Sequence, residues 1–204
     1  MPFIPFANTA QVEAVWSVDG QIVENVLHFD NAAPDLSNLT DLADAVNTAI
    51  RTSILPLIHS GISLLRVIGT LLDVLDGFQF ISTASLPAPG TNSGSAMPNN
   101  VAACISLKST SRGRSARGRS YIPGIPHEAL IAPSEINATY AAALVTAWTE
   151  VLGAGADAGW SPVVASRFTG GAARTTGVTF PIVTIAMFDN ILDSQRRRLP
   201  GRGA

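Results

Sequence analysis

Asp19-Gly20 separates two short runs in which apolar residues alternate with polar ones, and it constrains the fold more than any other feature of the chain. Val12, Ala14, Trp16 and Val18 alternate before it, and Ile22, Val26 and Leu27 follow. An Asp-Gly pair between two such runs is a strong signal for a two-residue hairpin turn, because both residues tolerate positive φ. Residues from Gln11 to Phe29 are therefore expected to form a β-hairpin, and the fold must supply an apolar surface to cover one of its faces.

The material for that cover comes next. Asn31-Ala-Ala-Pro34 breaks the strand, and Asp35 or Ser37 can then cap a helix that carries Leu36, Leu39, Leu42, Ala43, Val46 and Ile50 at helical spacing. The helix is expected to run to about Ile58, with Pro56 bending its last turn and Gly61 ending it. Ile62 to Leu75 is almost wholly apolar. Its β-branched Val67, Ile68 and Val74, and the Asp76-Gly77 turn before Phe78-Gln-Phe-Ile81, predict two strands rather than a second helix. Ser85 to Asn100 is dominated by proline, glycine, serine and asparagine and reads as an exposed loop.

The second half repeats this grammar. Val101, Ala103, Ile105 and Leu107 give a strand pattern, and Ser120 to Ile122 give its partner. Ser134 to Leu152 is a helix capped by Ser134 or Asn137, with Ile136, Tyr140, Ala143, Leu144, Ala147, Trp148 and Val151 on one side and Gly153-Ala-Gly155 at its end. Strands are expected at Ser161 to Phe168 and Val178 to Asp189. The fold class is α+β: an antiparallel β-sheet with two main helices packed on one face, and not a plain jelly roll. Residues 1–204 read as one domain. Halves 11–84 and 100–190 can be read as a duplicated ββαββ unit, followed by a basic C-terminal arm at 191–204.

Charge is scarce and unevenly placed. Only 14% of residues are charged, against about 25% in an average soluble domain, so much of the surface is expected to be covered by other subunits of a large homo-oligomer. Residues 1–107 hold nine acids and two arginines, a balance of −7, whereas residues 108–204 hold eleven bases and six acids, a balance of +5. Opposite signs in the two halves suit contacts between copies, or a basic face turned to an acidic partner. Twelve of the thirteen bases are arginine. That bias suits phosphate and interface roles, although a GC-rich genome gives the same bias.

The bases concentrate in two places. Arg112, Arg114, Arg117 and Arg119 recur between glycines and serines, at or beside the expected tip of a hairpin, where flexible backbone would present several guanidinium groups. Arg196, Arg197, Arg198 and Arg202 lie in a C-terminal segment with Pro200 and two glycines, too polar to build a core of its own. Both clusters are candidate contacts to nucleic acid or to carboxylates of a neighbouring subunit.

No catalytic or metal-binding pattern stands beside them. His28, His59 and His127 are far apart in sequence, and none has a His, Cys or carboxylate at metal-ligand spacing. Gly153, Gly155 and Gly159 follow a helix and lead to a strand, the reverse of a dinucleotide-binding turn. No Walker sequence or nucleophile elbow is present. The single cysteine, Cys104, falls in an apolar strand pattern and reads as a small buried hydrophobe. Met1 to Ala10 lacks the basic residues and apolar run of a signal peptide, and no run reaches the roughly 18 apolar residues of a membrane span. The expectation is a soluble protein made inside a cell, with no enzymatic activity, cofactor, small-molecule substrate or membrane partner.

Three blocks, Gln11 to Val26, Met97 to Pro126 and Asp193 to Gly203, resemble capsid- or coat-type virion structural proteins of small, poorly classified viruses or phages known from environmental sequences. The resemblance implies a self-assembling subunit, made in the host cytoplasm and carried in the virion, whose arginines contact genomic RNA or DNA or adjacent subunits. The chain departs from the usual coat protein in having no long basic N-terminal arm. Two other readings stay open: a phage tail, neck or tube component, and a cellular oligomeric binding protein or enzyme with no recognisable site.

Overall fold

The computed structural model describes residues 9–18, 20–73, 78–84, 87–94, 101–111, 114–132, 135–162 and 178–187. In chain order the first half holds β1 (Thr9–Val18), β2 (Gln21–Asp30), α1 (Leu36–Ala49), β3 (Ile62–Asp73), β4 (Phe78–Ala84) and β5 (Ala88–Pro89). The second half holds β6 (Val101–Ser111), β7 (Arg114–Pro123), β8 (Leu130–Ala132), β9 (Glu135–Ile136), α2 (Ala138–Gly153), β10 (Ser161–Pro162) and β11 (Val178–Met187).

The main sheet is antiparallel in the order β10-β2-β1-β3-β4, with β5 paired to the start of β3. Val18 pairs with Gln21, the spacing of the expected two-residue hairpin, and Gly20 takes φ +76°. The apolar run after the first helix forms β3, whose pairing of Asp73 with Phe78 begins β4. The fold is thus α+β, an antiparallel sheet with two helices, as the sequence pattern predicts.

One face of this sheet is built from Ala10, Val12, Ala14, Trp16 and Val18 of β1, Val23, Leu27 and Phe29 of β2, and alternate residues of β3, all buried. On β3 the buried set changes phase, from Ile62 and Leu64 to Val67, Gly69 and Leu71. Val15 pairs with Arg66 while Trp16 pairs with Leu64, leaving Leu65 as the extra residue of a β-bulge. The bulge resets the two-residue period and keeps both ends of β3 packed on one core.

The helices cover that face. Asp35 caps α1: its carboxylate accepts from the Asn38 amide at 2.8 Å, while the Asn38 side chain accepts from the Asp35 amide at 2.9 Å. Leu39, Leu42, Ala43 and Val46 are fully buried; each large one contributes roughly 2 kcal/mol of apolar burial. Gly69 seats the helix on the sheet, since a Cβ there would lie 3.2 Å from Leu39 Cδ1 and 3.4 Å from Ala43 Cβ. Leu36, expected on the apolar stripe, is 52% exposed because it stands in the first turn, beyond the edge of the contact. Past Ala49 the helix widens to a π-helical segment, Ile50–Ile54, closed by the Leu55 amide on the Ile50 carbonyl at 3.0 Å. Widening just before Pro56 eases the clash of a proline ring with the carbonyl four residues back. The helix stops short of Ile58 for the same reason.

In α2 the cap is Asn137, whose side chain accepts from the Tyr140 amide at 2.8 Å; Ser134 lies outside the described residues. Leu144, Ala147, Trp148 and Val151 are buried as predicted, joined by Leu152. Ile136 belongs to β9 and precedes the helix. The side chains of both helices and the covered sheet face form one apolar cluster, completed by Ile122, Ile125, Ala129 and Trp160.

The proline- and glycine-rich segment is not simply an exposed loop. Ala88 and Pro89 pair with Leu64 and Ser63. The Gly90 amide donates to the Ile62 carbonyl at 2.7 Å, Thr91 to Leu55 at 3.0 Å and Asn92 to Ile58 at 3.1 Å. Main-chain bonds hold this stretch in place of side-chain hydrophobicity, so its composition conceals its order.

Candidate nucleic-acid and subunit interface

The second sheet is also antiparallel, in the order β11-β6-β7. β6 pairs with β7 without interruption from Ala102–Pro123 to Ser111–Arg114, leaving two residues, 112 and 113, between the strands. The arginine-rich stretch is therefore mostly strand. The arginines stand beside the tip of a hairpin, as expected, but Arg114, Arg117 and Arg119 belong to strand rather than flexible loop: they occupy ladder positions of β7 opposite Ser111, Lys108 and Ser106. Glycine and serine lower β-propensity, but the uninterrupted main-chain ladder with β6 overrides it. Arg112, Arg196, Arg197, Arg198 and Arg202 lie outside the described residues, as do 163–168 of the strand expected after Trp160.

The pleat sorts these residues by register. Val101, Ala103, Ile105 and Leu107 share a face of β6, and their partners on β7 include Ile122. On β11, Met187, Ile185 and Val183 stand opposite Val101, Ala103 and Ile105, which extends the apolar face from β6 to β11, while β7 adds Ile122 and then Ser120 and Gly118. Ile122 is buried in the core, so this face belongs to the interior at that end of the hairpin. The other face holds Ala102, Cys104, Ser106, Lys108 and Thr110 on β6, Ser115, Arg117, Arg119, Tyr121 and Pro123 on β7, and Thr179, Ile182, Thr184 and Ala186 on β11, so its cations lie toward the hairpin tip and its apolar residues toward the other end. β11 departs from regular pairing between Thr179 and Ile182, where Pro181 has no amide to give the ladder.

Lys108 and Arg117 are direct partners across the ladder, with Arg119 two residues further along the same face. Like charges opposite one another on a sheet are unfavourable, with Cβ atoms about 4.5–5.5 Å apart. No Asp or Glu occurs in β6, β7 or β11 to relieve them. A phosphate or carboxylate placed between the three cations would. Arg114, opposite Ser111, falls on the other face and is not part of this group. Lys108 is the member that sequence reading left out. Its signal was its alternation with Leu107 in the strand leading into the arginines.

The remaining titratable groups form no rival centre. Among the described residues no three His, Cys, Asp or Glu side chains converge as a metal ion would require. His59 Nδ1 accepts from the Gly61 amide at 3.0 Å, a local turn contact. Tyr140 donates its hydroxyl to the Leu57 carbonyl, and burial pushes its phenol well above the ordinary range. Among the described residues no helix is long and apolar enough to cross a membrane. Compared with protein-family models, curated proteins and solved structures, the chain matches none of them.

Proposed function

We propose that this chain is a self-assembling virion structural subunit of the capsid or coat type, and that its β6–β7 hairpin contacts the phosphate backbone of nucleic acid. The observation that carries the reading is the placing of Lys108, Arg117 and Arg119 on one face of three strands whose own sequences hold no carboxylate. Fixed in a ladder, Arg117 and Arg119 have backbone positions about 6.6–6.8 Å apart, a preorganised array suited to a repeating anion. The low charge content of the whole chain, 14%, supports a surface covered by other copies.

Replacing Lys108, Arg117 and Arg119 by serine tests it. Nucleic acid co-purifying with assembled particles should fall, and the salt dependence of binding should flatten by about 0.7–0.9 in log–log slope per lost phosphate contact. The opposite charge balances of residues 1–107 and 108–204 favour a second reading, in which the same arginines meet carboxylates of a neighbouring subunit. In that case particles fall apart while bound nucleic acid per particle stays unchanged. Electron microscopy of the purified protein separates closed shells from the rings or tubes of a tail or neck component.

A further inference from the structure

The main sheet has a second face, opposite the helices. Register sets four rows across it: Ile22–Ser17–Ser63, Glu24–Val15–Arg66, Val26–Glu13–Ile68 and His28–Gln11–Thr70, each running from β2 through β1 to β3. Ile22 is 53% and Val26 42% exposed, and Ile68 is half-buried. Glu24 and Arg66 are both exposed, stand on either side of buried Val15, and make no hydrogen bond or ion pair among the described residues.

The Glu24–Val15–Arg66 and Val26–Glu13–Ile68 rows are self-complementary at their ends. We propose that this face pairs with the same face of a second copy, about a two-fold axis that runs parallel to the strands above β1, midway between the two sheets. Such a rotation exchanges the β2 and β3 positions of every row. Glu24 of one copy then lies over Arg66 of the other, twice, and Val26 lies over Ile68, twice, as an isologous interface requires. Two sheets stacked about 10 Å apart at a small angle bury the exposed apolar residues. The axis sets the β1 residues of this face against their own copies, and Glu13 is the one charged residue among Gln11, Glu13, Val15 and Ser17. Its carboxylate accepts from the Gln11 side-chain amide, and it marks the like-charge contact of the interface.

The inference rests on the self-assembly reading and can fail separately from it. Sedimentation of the full chain is measured for wild type, Glu24→Arg, Arg66→Glu, the double exchange, and Glu13→Gln, with circular dichroism confirming that each is folded. Either single reversal should weaken association by about tenfold or more, since each introduces repulsion at two symmetric positions. The double exchange should restore it to near the wild-type value, and Glu13→Gln should tighten it. Single reversals without effect, or a double exchange weaker than either single, would overturn the interface while leaving assembly itself intact. A wild-type monomer at high concentration would overturn both readings.

Discussion

The indole Nε1 of Trp160 donates to the backbone carbonyl of Asn38 at 2.8 Å, across 122 residues of sequence. Trp160 is 1% exposed and its ring lies in the core, so the bond fastens the end of the second helical region to the first turn of α1. Trp160→Phe keeps most of the apolar contact and leaves the carbonyl without its donor. Urea unfolding should show a loss of about 1–3 kcal/mol, and Trp160→Ala a loss of about 3–5 kcal/mol.

Gly20 and Gly124 share a left-handed backbone, at φ +76° and +80°, but differ in their surroundings. A Cβ at Gly20 would meet nothing within 4 Å, whereas one at Gly124 would lie 2.5 Å from Ile62 Cγ1. Gly20→Ala should therefore cost only the backbone term, about 1–2 kcal/mol. Gly124→Ala adds an overpacking term of about 1–3 kcal/mol. Thermal unfolding of the two variants side by side measures the difference.

Burial raises the Tyr140 phenol, so the folded protein keeps that proton where an unfolded chain, titrating near 10.0, has lost it. The folded state then binds more protons than the unfolded one, and stability falls as pH rises above about 10. Tyr140→Phe should be less stable than wild type at neutral pH, because the Leu57 carbonyl loses its donor. The gap should narrow as pH climbs. Parallel denaturation curves at pH 7, 10 and 11 test this, and the comparison with Tyr140→Phe removes the contribution of Tyr121.

Arg117→Glu separates function from stability. It replaces the repulsion with Lys108 by an attraction across the ladder, which should stabilise the isolated subunit by about 0.2–1 kcal/mol. The same change should reduce co-purifying nucleic acid, because it removes one cation and adds an anion on the proposed binding face. A variant that is both less stable and fully loaded with nucleic acid would contradict the reading of this pair.

Much of the fold is legible because its signals are local. Asp19-Gly20 sits between alternating runs, Asp35 and Asn137 precede apolar helical stripes, and the β-branched residues of β3 oppose a helix. What was hidden depends on distant chain. Nothing near Leu65 announces a bulge, since the extra residue answers a register set by β1 on one side and α1 on the other. The order of Gly90 to Asn92 comes from main-chain bonds to carbonyls some 30 residues earlier. At the candidate site the arginines were visible and their geometry was not. Ser, Gly and Arg between Arg114 and Ser120 look like loop until β6 is laid beside them, and only that pairing brings Lys108 into the group.

The edge strand β10 pairs Ser161 with Asp30, next to the Trp160 bond to α1. Contacts spanning so much of the chain make closure a late and slow step in folding. A growing polypeptide on the ribosome has delivered β1 to β5 and α1 long before it delivers Trp160, so the apolar sheet face waits with Trp16 and Phe29 incompletely covered. Expression yield should therefore respond more to translation pace and chaperone supply before residue 162 than to the final stability of the subunit.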